Sequence, residues 1–414
     1  MGQGTSDILP IYPNLPHMKK IGYLSAAPRV STHPEAEASG PRAHVLGVIR
    51  AFESLGYPVK RYIVGDRVPS NWRGKGSEAA VSGNWLRTLL IDITRLILGF
   101  VNAQRALREL GGEVDWVYER FAALQSLGWI FQRRGIPWLL ETSGPFFYEA
   151  KFSRKSVVLG GLARRIEVGA YRQCDVLVCV SETLKDIVVR EAQVSPQKVL
   201  VIPNGVDVEF FNPDAYQPKR LFPGVTIGFV GTLTNWQALD LLLQAMSEVK
   251  NQGIDLSLVV VGDGLMLEDW KSLTQNLGLA DRVRFVGRLS QLQVPEAISG
   301  IDVGYSGQIE SPEVGKMYHS PLKIYEYMAM AKPVMASAFE DAQRTLKEGE
   351  TGFLFPAGDL EGIKQALVRV YEARERLSQM GEQARREVVT QHSWQARVQD
   401  MVAKTEAILS QRRR

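Results

Sequence analysis

Residues 318–337 read Tyr318-His-Ser-Pro-Leu-Lys-Ile-Tyr-Glu-Tyr-Met-Ala-Met-Ala-Lys-Pro-Val-Met-Ala-Ser337. Ser320 is a good helix N-cap, Pro321 suits the first helical position, and Pro333–Ala336 reads as a strand. Loop, helix and strand in so short a run form the building block of a parallel sheet with covering helices. A helix starting at Pro321 aims free amides and the positive end of its dipole at the preceding loop, which makes a ready diphosphate site. Lys323 and Glu326 are three apart and share a face within the first two turns. Lys323 is suited to meet a phosphate, Glu326 to accept hydrogen bonds from ribose hydroxyls. A surface Lys–Glu pair on a capped helix fits the same residues, and both readings stay open.

The same alternation runs outward in both directions. Toward the N-terminus, strands are expected at Lys19–Leu24, Val59–Val64, Trp116–Tyr118, Pro137–Glu141, Val176–Val180 and Val199–Ile202. A helix from Pro41 shows Val45, Val48, Ile49, Phe52 and Leu55 at three- and four-residue spacing and ends at Gly56. Further helices are predicted over Ala122–Arg134 and from the Ser181 cap to about Ala192. Pro203-Asn-Gly-Val-Asp207 is a turn cluster, after which the pattern restarts with Val225–Val230, Leu256–Val261, Arg282–Val286 and Asp302–Tyr305. Helices then follow at about Leu360–Arg374 and as one long span from Gln379 to Ser410. The fold class is therefore α/β, two doubly wound Rossmann-like domains, with ligands expected at the carboxyl ends of the strands. The expected divisions are 18–205, 206–385 and a C-terminal helix, 386–414, returning to the first domain.

At 414 residues the chain is too long for one ordinary core, which agrees with two domains. Cys174 and Cys179 flank or lie on an apolar strand and read as buried thiols in a reducing, cytoplasmic setting. The first residues are polar and Pro-rich rather than signal-like, and His17-Met18 reads as a junction, so Met1–His17 is set aside. Leu89–Val101 is apolar but interrupted by Asp92 and Arg95 and too short to span a bilayer. Residues 1–205 carry 26 Lys+Arg against 18 Asp+Glu, whereas the remainder carries 23 against 27, so the first half should face something anionic. Lys151, Arg154, Lys155, Arg164, Arg165 and Arg172 surround Val157–Leu159 and Leu162, and Trp85–Val101 is apolar with Arg87 and Arg95. Such segments suit peripheral contact with an anionic membrane and equally suit amphipathic helices packed on their own domain. No nucleic-acid motif accompanies the charge. The five histidines are scattered and no Asp-x-Asp is present, so no metal site is expected.

The 318–337 segment resembles the donor-site signature of retaining glycosyltransferases of family 4, in the sub-branch whose motif runs Tyr-x-Ser-Pro-Leu-Lys-x-x-Glu-Tyr-Met-Ala. The resemblance covers roughly residues 19–400 and implies the GT-B fold. It implies Glu326 as the ribose-binding carboxylate, with Lys323 and Ser320 beside it at the reacting centre. Tyr318, His319, Pro321 and Leu322 then offer a loop to diphosphate and sugar. Gly231, Thr232, Trp236 and Gln237 in Gly228-Phe-Val-Gly-Thr-Leu-Thr-Asn-Trp-Gln-Ala238 resemble the glycine loop near the phosphates. Gly262-Asp263-Gly264 resembles the second-strand turn, and Val286-Gly-Arg288 the loop that reads the nucleobase. Gly40 lies in the first domain's glycine loop. Glu119, Arg120, Glu141 and Ser143 resemble positions bordering the acceptor cleft.

The chain departs from the commoner family pattern at informative places. Thr232 and Gln237 stand where many members carry the Arg and Lys that hold diphosphate. Tyr318 stands where a second glutamate is usual, and Ser143 at the place of the acceptor-side histidine. Lys323 and Arg288 are the candidates to restore the missing charge. The resemblance implies metal-independent transfer of a hexose-type sugar from a nucleotide-sugar co-substrate to a glycan, lipid or small-molecule hydroxyl acceptor, with no further cofactor. Two alternatives stay open: an inactive nucleotide-sugar-binding subunit of a glycan-assembly complex, and a GT-B nucleotide-sugar epimerase. A nicotinamide oxidoreductase is disfavoured because no Gly-x-Gly-x-x-Gly opens a helix after a strand.

Overall fold

A computed structural model describes residues 20–36, 39–69, 85–146, 157–310 and 317–412. Short apolar runs buried on both faces belong in parallel sheets covered by helices, and two such sheets form. The first contains β1 (Ile21–Ser25), β2 (Val59–Ile63), β3 (Trp116–Arg120), β4 (Trp138–Thr142), β5 (Val176–Cys179) and β6 (Val199–Val201), in the order β2-β1-β3-β4-β5-β6. The second contains β7 (Val225–Val230), β8 (Leu256–Val261), β9 (Val283–Gly287), β10 (Val303–Ser306), β11 (Val334–Ser337) and β12 (Gly352–Phe355), in the order β12-β11-β10-β7-β8-β9. Every strand pairing is parallel.

The helices used below are α1 (Gly40–Ser54), α2 (Trp85–Leu110), α3 (Gly160–Gln173), α4 (Glu182–Ala192), α5 (Leu239–Lys250), α6 (Leu267–Asn276), α7 (Val294–Ser299), α8 (Leu322–Ala329), α9 (Glu340–Thr345), α10 (Leu360–Glu372), α11 (Leu377–Gln391) and α12 (Trp394–Arg412). The first sheet is sandwiched between a core containing Leu140, Leu177 and Phe131 and one containing Tyr23, Phe52 and Trp116. The second core joins α12, whose Trp394, Val398, Met401 and Val402 lie against α1. Close approach needs Gly47: a Cβ there would stand 2.1 Å from the Trp394 indole nitrogen. Cys174 and Cys179 are buried thiols outside any disulfide, and burial pushes the Cys179 thiol well up.

Four sequence expectations change. The predicted helix over Ala122–Arg134 is a loop with only a short turn, Trp129–Gln132. Leu124 adopts φ 63°, and the Glu119 carboxylate draws in the Leu127 and Gly128 amides at 2.7 and 2.8 Å. The helix expected from Gln379 to Ser410 breaks at His392–Ser393, where the Val206 amide donates to the His392 carbonyl and the Val206 carbonyl accepts from the Trp394 amide. Strand β12 is an edge element of only four residues beginning at a glycine, too short to carry an alternation signal. Finally, α8 starts at Leu322 with Pro321 at its cap position and no side-chain cap, so Ser320 has another task. Of the basic 151–172 segment, Lys151, Arg154 and Lys155 lie outside the described residues.

Candidate donor site between the two sheets

The two sheets meet through the segments that follow their strands. Ser181, just after β5, caps α4 by accepting from the Leu184 amide and donates to the Tyr318 carbonyl at 2.7 Å. Asn204, after β6, donates its amide to Ser320 Oγ at 3.0 Å and its Nδ2 to the Ser320 carbonyl at 2.6 Å. Ser320 in turn donates to Asp341 Oδ2 at 2.8 Å, and Tyr325 to Asp341 Oδ1 at 2.7 Å. Burial pushes Asp341 up to about 6, with those two hydroxyls pulling the other way. The 318–322 loop is thereby clamped from both sides, and Ser320 and Tyr325 are its anchors. Tyr318 is buried in the first sheet's core and Leu322 packs on the other face of that domain. Gly40 opens α1 opposite Leu322: a Cβ on Gly40 would lie 3.6 Å from Leu322 Cδ1.

Helix α8 turns its two charged residues toward the second sheet's glycine turn and the interdomain crevice. Lys323 is buried; its Nζ donates to Gln237 Oε1 at 2.8 Å and lies 4.1 Å from the Phe229 ring centroid. A Cβ on Gly231 would stand only 3.1 Å from that Nζ, so the ammonium occupies the mouth of the turn. Burial lowers Lys323 to about 7, and Glu326 opposes the shift. Burial likewise raises Glu326 to about 7, with Lys323 opposing. Among the described residues no donor bonds the Glu326 carboxylate, which faces a narrow crevice bordered by Gly47, Arg50, Gly205 and Trp394. Tyr327 fixes the helix against β7 by accepting from the Val230 amide at 2.8 Å.

The other second-domain predictions gather around this helix. Gly231 (φ 154°) and Gly262 (φ 141°) lie back to back, and a Cβ on Gly262 would strike the Gly231 carbonyl at 1.8 Å. No side chain fits there, which brings bare backbone to the turn. Asp263 accepts from the Gly264 amide at 2.7 Å, and its carbonyl accepts from Leu233. Gln237 is buried beneath Lys323, whereas Thr232 and Arg288 are exposed. Trp236 is partly exposed, with its ring 5.9 Å from that of His319, which itself lies 4.3 Å from Tyr318. Gln237 thus stands where a lysine was expected and accepts from a lysine carried by a different helix.

The first-domain predictions divide. Glu119 is fully buried and spent on its own loop, accepting from Leu127 and Gly128 and from Ser126 Oγ at 3.3 Å; burial raises it to about 7. It is a loop-holding residue, which corrects the expectation of an acceptor-side one. Glu141 pairs with His44 Nε2 at 2.6 Å. Although burial works against it, the His44 and Arg120 charges hold Glu141 below the usual carboxylate range. Around this pair, Tyr23 Oη, Arg120 Nε, Glu141 Oε2 and His44 Nδ1 are buried without a hydrogen-bond partner among the described residues. Ser143 is half-buried in the loop after β4, near Thr142, whose hydroxyl donates to the Gly144 carbonyl.

Sequence reasoning missed His44, Asp341 and two interdomain contacts. Arg42 binds the Ser31 and His33 carbonyls and reaches Gln291 of the second domain. Glu340, at the start of α9, accepts from the Glu182 and Thr183 amides at 2.9 Å each and from Thr183 Oγ1 at 2.8 Å. Only the acidic start of α9 and the uncapped first-turn amides of α4 could have hinted at that pairing.

Residues 38–210 match the family model Glycosyltransferase Family 4, and residues 220–387 match Glycosyl transferases group 1. A phosphatidyl-myo-inositol mannosyltransferase of Mycobacterium leprae is 30% identical over 199 residues, 47% of this chain and 49% of that protein. A UDP-Gal:alpha-D-GlcNAc-diphosphoundecaprenol alpha-1,3-galactosyltransferase of Escherichia coli is 28% identical over 62% of this chain and 66% of that protein. The chain thus spans about half to two thirds of the length of these relatives. HepE of Anabaena, solved in complex with UDP and glucose, superposes with a TM-score of 0.61 at 17% identity, covering 94% of this chain and 100% of that one. The GT-B arrangement of two Rossmann-like domains is therefore the fold of this protein.

Proposed function

We propose that this chain, whose two halves match the two modules of the family 4, group 1 glycosyltransferases, is a working transferase that moves a hexose-type sugar from a nucleotide-diphosphate donor to a hydroxyl acceptor. The observation that carries the proposal is Lys323, a buried ammonium held at the Gly231 turn and bonded to Gln237. There it would supply positive charge to a leaving diphosphate, in place of the basic residues absent at Thr232 and Gln237. Glu326, on the same helix and facing the crevice, would accept the ribose hydroxyls. The UDP and glucose bound by HepE support a nucleotide-sugar as co-substrate.

In the proposed step the anomeric C–O bond to diphosphate breaks while the acceptor oxygen bonds the same carbon from the same face, so configuration is retained. The acceptor proton passes to a donor phosphate oxygen, and the nucleoside diphosphate leaves with the electron pair. Lys323 and the α8 amides stabilise that charge, and Gly231 and Gly262 let backbone approach it. Residues 18–205 would hold the acceptor and 206–385 the donor, with 386–414 tying the two together. The buried thiols fit a cytoplasmic site of action.

A thermal-shift screen with UDP-, GDP-, ADP- and TDP-sugars tests the site. One donor should raise Tm in the wild type and shift Glu326→Ala much less; an equal shift in both would overturn the assignment. Release of free nucleoside diphosphate without acceptor separates an enzyme from an inactive binding subunit. Retention of that release in EDTA is the expected outcome for metal-independent transfer.

A further inference from the structure

Helix α2 is apolar on more than its covered side. Its most buried positions are polar or small (Thr88, Asp92, Gly99, Asn102, Ala103, Ala106) except Leu110, with Leu96 and Leu107 partly buried, whereas Leu86, Leu90, Ile93, Ile97 and Phe100 form one continuous stripe exposed to solvent. Their spacing of four, three, four and three keeps them on a single side. Leu90 is 65% exposed, Ile97 59% and Phe100 58%, values that no core-facing stripe would show. The reason the polar side faces inward is local: Asp92 accepts from the Val158 and Leu159 amides at 2.8 and 3.0 Å and so holds the start of α3. Val158 and Leu162, at the start of α3 that this contact holds, are exposed as well.

The charge around the stripe is predominantly positive. Along α2 the acids are Asp92, which is buried, and Glu109, which pairs with Arg67, while Arg87, Arg105 and Arg108 are exposed. Arg133, Arg164 and Arg165 are exposed on the adjoining surface, Arg133 lying over Trp129 and Phe100 stacking on that same indole. Although Glu191 pairs with Arg164 and Glu109 with Arg67, arginines outnumber acids on this face, and a second copy would set that excess against itself. An apolar stripe rimmed by arginines instead suits the interface of a bilayer containing anionic lipid. No helix among the described residues is long and apolar enough to cross a membrane, so the contact is one that lies on the surface.

We infer that the exposed face of α2, with the start of α3, docks this protein on an anionic membrane surface. The placement matters for function. In a parallel α/β unit each crossover helix follows the carboxyl end of a strand, and α2 and α3 follow β2 and β4 of the sheet whose later segments also clamp the 318–322 loop. On the reading proposed above, a docked chain would meet an acceptor carried by the membrane, a lipid-linked hydroxyl.

The full chain should sediment with vesicles of 30% phosphatidylglycerol in phosphatidylcholine and stay in solution with phosphatidylcholine alone. Leu90→Glu/Ile97→Glu should weaken vesicle binding roughly tenfold or more, and Arg164→Ser/Arg165→Ser roughly tenfold. Both variants should keep the wild-type circular dichroism and nucleotide-sugar thermal shift. Failure of the wild type to bind anionic vesicles overturns the inference. So does a concentration-dependent dimer that Leu90→Glu/Ile97→Glu dissociates, since a second copy would then cover the stripe. Vesicle binding in a protein that binds no nucleotide-sugar would leave the docking face standing and remove the donor-site reading alone.

Discussion

Helix α8 carries Lys323 inward and turns Glu326 to the crevice, whereas helix α2 carries Leu90, Ile97 and Phe100 outward. Both forgo stability in isolation. A buried ammonium loses hydration that one neutral amide oxygen only partly replaces, and each exposed large apolar side chain gives up about 1.5–3 kcal/mol of burial. The two departures point to different missing partners. Lys323 is preorganised for an anion and α2 for an apolar phase, and the sequence positions of both are forced by neighbours (Gln237 for one, the α3 amides for the other) rather than by helix propensity.

The largest effect should come from Lys323. Lys323→Met is expected to lower kcat/KM by about 10² to 10³-fold while leaving Tm unchanged or raised, because a buried charge is removed. Steady-state kinetics beside calorimetry would show it; a parallel fall in Tm would make Lys323 a structural residue and break the contrast. Lys323 is charged below about 7 and Glu326 ionised above about 7. The pair therefore predicts a narrow bell in kcat/KM against pH near neutrality, belonging to both groups together. Its alkaline limb should vanish in Lys323→Met and its acid limb in Glu326→Gln; limbs that persist in both variants would exclude the pair as the titrating groups.

Glu326→Ala should then raise the donor KM roughly tenfold, the worth of one charge-assisted hydrogen bond set, with the acceptor KM unchanged. Interdomain docking comes next. Glu340→Ala leaves two α4 amides without their acceptor and should cost about 1–3 kcal/mol in denaturant unfolding. Although burial opposes it, the Thr183 and Glu182 donors hold Glu340 below the usual carboxylate range. Its contribution is therefore present above that range and lost as pH falls through the lowered pKa. Smallest of all, Leu90→Gln should change stability by no more than about 0.5 kcal/mol. A loss above about 1 kcal/mol would mean that α2 packs on part of this chain, and the contrast with α8 would fall.

Much of the architecture was legible because strands and helices alternate with turn residues between them, and local chemistry marks their ends. The Ser181 cap and the paired turns at Gly231 and Gly262 are examples. The predicted helix at 122–134 failed because helix-forming residues yielded to one buried carboxylate, Glu119, that collects loop amides from outside the helix. Ser320 had the residue type of a cap and the position of one, yet Asn204 and Asp341 outbid the helix for its hydroxyl. The site was half legible: motif spacing placed Lys323 and Glu326 on one helix, but not the amide beneath the lysine, because Gln237 is 86 residues away.

By itself the sequence determined the two α/β halves and the charged pair on α8, since each follows from periodicity, turn chemistry or short spacing. Tertiary structure alone decided that Lys323 fills the Gly231 turn, that Glu119 is withdrawn from the cleft, and which side of α2 meets solvent. These depend on partners distant in sequence, and a helix pattern records that two faces differ without recording which of them the rest of the chain will cover.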